Sequence, residues 1–127
     1  PLVVSGFSFG SFVGSHLVQK LAELGRPAER LVMVGSAAGK WMLANVPADT
    51  VVIHGEVDET IPLINVLDWA RPQGLPVAVV PGTGHFFHGQ LAGLRELDRM
   101  FRSDADAERS VRMVANWRCV VRKMRAG

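Results

Sequence analysis

The apolar run Leu2-Val3-Val4 leads almost at once into Gly6-Phe7-Ser8-Phe9-Gly10, and beyond Gly10 apolar residues recur at Phe12, Val13, Leu17, Leu21 and Leu24. The first run has the β-rich character of a buried strand, and the second has helical spacing. The chain must therefore pass from strand to helix across a sharp turn with a serine at its apex. Such a turn strains the apex backbone and crowds any side chain on either flank, so Gly6 and Gly10 suit it.

Downstream the same alternation continues. Leu31 to Val34, closed by Gly35, reads as a second strand, and Val51 to Ile53, ending at His54-Gly55, as a third. Val77 to Val80, bounded by Pro76 and by Pro81-Gly82, reads as a fourth. Between them the pattern predicts helices over 10–24, 63–70 and 91–101, with a loop over 39–49. Strands that are continuous apolar runs, separated by helices, indicate an α/β fold with a mostly parallel sheet and helices on both faces. A chain of 127 residues suits one such domain.

The last segment differs. Ser103 with Asp106 three residues on fits a helix start, and Val111, Val114, Trp117, Val121 and Met124 then fall on one stripe with arginines opposite. This predicts a basic amphipathic helix over 103–127, set apart from a core over 1–102. Its usual role is to dock on its own domain, with a partner or membrane surface as the alternative.

Composition narrows the function classes. No apolar stretch has the length of a membrane span. One cysteine, Cys119, excludes an intrachain disulfide and fits a reducing, cytoplasmic setting. Basic residues outnumber acidic ones beyond Leu91, but the two are mixed, with little aromatic interleaving near Trp117 or elsewhere. A solvated helix face is the simpler reading, and no nucleic-acid partner is expected. Gly35-Ser36-Ala37-Ala38-Gly39-Lys40-Trp41 is one residue short of a phosphate loop and has Trp where magnesium needs a hydroxyl. His85 and His88 lack a third metal ligand. No cofactor is expected.

Hydrolysis by a serine needs a base for its proton and an acid to orient that base. Three residues offer this, each just past the C-terminal end of a strand: Ser8, Asp58 and His85. In a parallel sheet those ends share one edge, where open α/β folds bind ligands. Each has a rival reading. Ser8 could serve as a helix N-cap, Glu56 competes with Asp58, and His88 competes with His85. His54 ends a strand and reads as a structural residue, while His16 reads as a surface or boundary position.

The strings His54-Gly55-Glu56-Val57-Asp58 and Gly82-Thr83-Gly84-His85, with Gly6-Phe7-Ser8-Phe9-Gly10, look like the acid, histidine and nucleophile loops of α/β-hydrolases. With Gly84-His85-Phe86-Phe87-His88-Gly89 they resemble a branch of small, lidless bacterial esterases related to dienelactone hydrolases. The resemblance runs from about Leu2 to Leu97. It implies Ser8 as nucleophile, Asp58 as orienting acid, His85 as base and the backbone N–H of Phe9 as an oxyanion donor. It also implies an acyl-enzyme route on a small ester-like substrate. Against that family the strands before the nucleophile are missing, together with the loop that supplies a second oxyanion N–H. The chain, which begins at Pro1 and not at Met, is therefore expected to be the C-terminal half of the fold within a longer protein. Its exposed sheet edge would invite self-association. The rival function is a non-catalytic α/β-hydrolase-like module that binds a partner through the sheet edge or the C-terminal helix.

Overall fold

A computed structural model describes residues 2–87 and 111–114. Its elements run β1 (Val3–Phe7), α1 (Phe9–Glu23), β2 (Arg30–Val34), β3 (Val51–Gly55), α2 (Leu63–Ala70), a short 3-10 turn (Arg71–Gln73), β4 (Val77–Val80) and β5 (Val111–Val114). The strands form one sheet in the order β4-β3-β2-β1-β5, and every pairing is parallel. Branched side chains dominate β2, β3 and β4, as suits strands pressed between neighbours.

Strand alternation divides the core in two. One face carries Val4, Leu31 and Met33 against Val18 of α1, continuing through Val52 to Ile61 and to Val66 of α2. The opposite face carries Val3, Phe7, Val32, Val34, Val51 and Ile53, packed with Phe87 and the partly buried Phe86. Both described helices therefore lie on the same face. The helix expected over 91–101 lies outside the described residues.

The elements expected from sequence form close to their expected bounds, and the loop over 39–49 contains only turns and the bridge Ala38–Trp41. Two details differ. The inward face of α1 is Gly10, Ser11, Gly14, Ser15 and Val18, while Phe12, Val13 and Leu17 are half-buried and Leu24 is exposed. The cause is the elbow itself. A Cβ on Gly6 would run into the carbonyl oxygen of Gly10, so α1 starts almost on top of β1 and only small residues fit beneath it.

The second difference is at Val111–Val114, where a strand stands in place of part of the amphipathic helix expected over 103–127. It pairs with β1, Val3 opposite Val111 and Gly6 opposite Val114. Without it β1 would be an edge of the described sheet, and two valines in four residues suit a strand at least as well as a helix. The rest of that segment lies outside the described residues.

Candidate active site

Ser8 sits between β1 and α1 with φ 53° and ψ −118°, a conformation few non-glycine residues adopt. Strain of this kind costs about 1–3 kcal/mol and persists only where surrounding contacts enforce it. Its N–H donates to the Val34 carbonyl at 3.0 Å, which ties the turn to the end of β2. Its side chain makes no capping bond to α1, so the N-cap reading does not hold.

Asp58 lies on the loop after β3 and is buried. Its Oδ1 accepts the N–H groups of Thr60 at 2.9 Å and Ile61 at 2.7 Å, which fixes the carboxylate plane. Oδ2 is thereby left to face His85. A Cβ on Gly55 would strike the Thr83 carbonyl oxygen, so glycine there lets the histidine loop close on the acid loop. Val57 N–H to Thr83 O and Glu56 N–H to Val80 O, each 3.0 Å, hold the two loops together.

His85 is buried, with its ring 5.1 Å from Phe7 and 5.1 Å from Phe86. Its Nδ1 lies 2.6 Å from Asp58 Oδ2 and its Nε2 lies 2.9 Å from Ser8 Oγ. An ionised carboxylate can only accept, so Nδ1 donates and Nε2 is free to accept the serine proton. The structure thus brings Ser8, His85 and Asp58 into one hydrogen-bonded row. Glu56 is exposed, and its carboxylate accepts the Gly82 N–H through Oε1, at 3.3 Å, away from His85, which removes it as the acid partner of His85. His88 lies outside the described residues. Phe9 is the first residue of α1, so its N–H is among those a helix leaves without an intrahelical acceptor.

Burial alone would push the Asp58 carboxyl up. The hydrogen bonds from His85 and the Ile61 N–H, with the electrostatic pull of the neighbouring His85 and His54 rings, outweigh it and hold the carboxyl below its ordinary value.

His54 is a group whose part in the site the sequence reading missed. It is fully buried, and its Nε2 lies 2.7 Å from the Ile61 carbonyl and 3.3 Å from Asp58 Oδ2. Two acceptors at Nε2 place the proton there, and Nδ1 has no partner among the described residues. Burial pulls the His54 pKa down, against the opposing pull of the Ile61 hydrogen bond and the Asp58 charge, so the ring stays neutral. The available signal was its position four residues before Asp58 at a strand end.

No protein-family model matches the sequence, and no curated protein matches it. Solved structures do. An α/β serine hydrolase without lid from Xanthomonas campestris superposes with a TM-score of 0.64 at 31% identity, over 78% of this chain and 45% of that one. A protein described as a hydrolase of the α/β superfamily, from Xanthomonas campestris pv. campestris, gives 0.59 at 24% identity, over 78% and 54%. A YdeN-like hydrolase from Pectobacterium atrosepticum gives 0.59 at 21% identity, over 80% and 60%. The fold is that of the α/β-hydrolases. Within it, the chain is similar to the lidless serine hydrolase and spans about half the length of the structures it matches.

Proposed function

We propose that this chain carries the nucleophile, acid and base of a serine hydrolase of carboxylester type. The observation that carries the reading is the continuous row from Ser8 Oγ through His85 Nε2, at 2.9 Å, to Asp58 Oδ2, at 2.6 Å from His85 Nδ1. Hydrogen bonds of these lengths are those a nucleophile and its base require.

In this reading Ser8 Oγ attacks the ester carbonyl carbon while its proton passes to His85 Nε2. Asp58 holds the ring's Nδ1–H and stabilises the imidazolium that forms. Negative charge collects on the former carbonyl oxygen, where the Phe9 N–H would donate; a single donor of this kind is worth about 2.7–4 kcal/mol in the transition state. The intermediate collapses, the C–O bond to the alcohol breaks, and His85 returns its proton to the departing oxygen. Water then attacks the acyl-Ser8 carbonyl, giving its proton to His85, and the acid leaves as Ser8 recovers its hydrogen. No cofactor takes part.

Hydrolysis of p-nitrophenyl acetate tests the reading. The rate should fall to background in Ser8→Ala, and a rate that survives that change would reject it.

A further inference from the structure

Helix α1 does more than present Ser8. Its buried polar side chains grip the loop that follows β2. Ser11 Oγ accepts the Ala37 N–H at 2.8 Å, and Ser15 Oγ accepts the Ala44 N–H at 3.1 Å. From the exposed side His16 Nε2 reaches the Met42 carbonyl at 2.9 Å. The turn within that span is closed by Lys40 N–H and Trp41 N–H to Ala37 O, at 3.1 and 3.0 Å. Loop 37–44 is thus held to α1 at three points, and Trp41 is held with it.

Trp41 meets two rings of α1. Its centroid lies 5.2 Å from Phe9, edge-on, and 5.6 Å from Phe12, while Phe9 and Phe12 are 5.5 Å apart. Three mutually touching rings would ordinarily be core. Here Phe9 is 40% and Trp41 47% exposed, and Met42 beside them is 86% exposed. Phe9 directly follows Ser8, so its Cα is only about 3.8 Å from that of the serine. Two half-exposed rings and the partly buried Phe12 are a patch of side-chain size, where a standard protein interface takes roughly 800 Å² per partner. The patch matches a chain of several carbons.

Resting on the hydrolase reading above, we propose that Phe9, Phe12 and Trp41 seat the apolar portion of an ester whose carbonyl lies at Ser8. The preferred substrates then carry an alkyl or aryl group of several carbons on one side of the ester. Phe9 and Trp41 remain partly exposed, so the seat sets a preference, not a length limit.

The test is a comparison of kcat/KM for p-nitrophenyl octanoate against acetate, with octyl acetate against methyl acetate to tell the acyl side from the alcohol side. One of the two ratios should favour the long chain. Trp41→Ala should lower that ratio about tenfold, the equivalent of roughly two buried methylenes, and Trp41→Phe should restore most of it. A second measurement does not depend on turnover: ethyl octanoate added to Ser8→Ala should change tryptophan emission, and the change should vanish in Ser8→Ala/Trp41→Phe. Hydrolysis with no chain-length preference and no emission change overturns the seat. An emission change without hydrolysis of any ester overturns the hydrolase reading and leaves the seat standing. Neither signal overturns both.

Discussion

Asp58 is served from three sides: two backbone N–H groups on Oδ1, then His85 and the neutral edge of His54 on Oδ2. The His54 arrangement has a consequence for pH. The unfolded chain protonates this residue near the ordinary imidazole value, about pH 6.5, and the folded chain does so only lower down. The stability that comes from a neutral buried His54 is therefore present above about pH 6.5 and is lost as pH falls from there toward the folded value. Thermal unfolding should show wild type and His54→Gln drawing closer in Tm as pH drops from about 7.5 to about 5; a gap that is constant or widens would refute the assignment. The residues of the row were legible because each lies in a short local string at a strand end. The string ending in Asp58 already favoured it over Glu56 through its resemblance, and loop closure supplies the physical reason, since only Asp58 faces His85. The contact of His54 with Asp58 depended on a turn between them.

At the scale of elements, β1 to β4 and α2 were legible because their apolar runs are short and sharply bounded by Gly and Pro. The buried face of α1 was legible only in part, through the glycines that recur every fourth residue at 6, 10 and 14. Hydrophobic periodicity points to the larger residues, whereas the approach of Gly10 to Gly6 reserves the inner face for glycine and serine. This gives a graded prediction. Gly6→Ala forces a Cβ into backbone that cannot yield and should cost about 3 kcal/mol or more. Gly74→Ala, at φ +64° with nothing near its Cβ, should cost about 1 kcal/mol. Denaturant unfolding of the two variants checks this, and equal losses would contradict the close-approach account. Helical spacing over Val111–Val114 misled for a related reason: four residues satisfy either period, and an unpaired neighbour strand decides between them.

Across the whole molecule, the pairing of β5 with β1 puts Ser8 at the end of an interior strand, with β4 and β5 as the described edges. A chain ending at residue 110 would bare the β1 edge beside Ser8. That version should self-associate where the full chain does not, as measured by light scattering at matched concentration; equal scattering would argue that β5 does not protect this edge. The fold's purpose in the account is convergence: three strand ends bring Ser8, Asp58 and His85 together from distant parts of the sequence. The most direct test is to treat the full chain with a fluorophosphonate and locate the adduct by peptide mass spectrometry. Modification is expected at Ser8, abolished in Ser8→Ala and strongly slowed in His85→Ala; no adduct at Ser8, or one indifferent to His85, would contradict the proposed roles of Ser8 and His85.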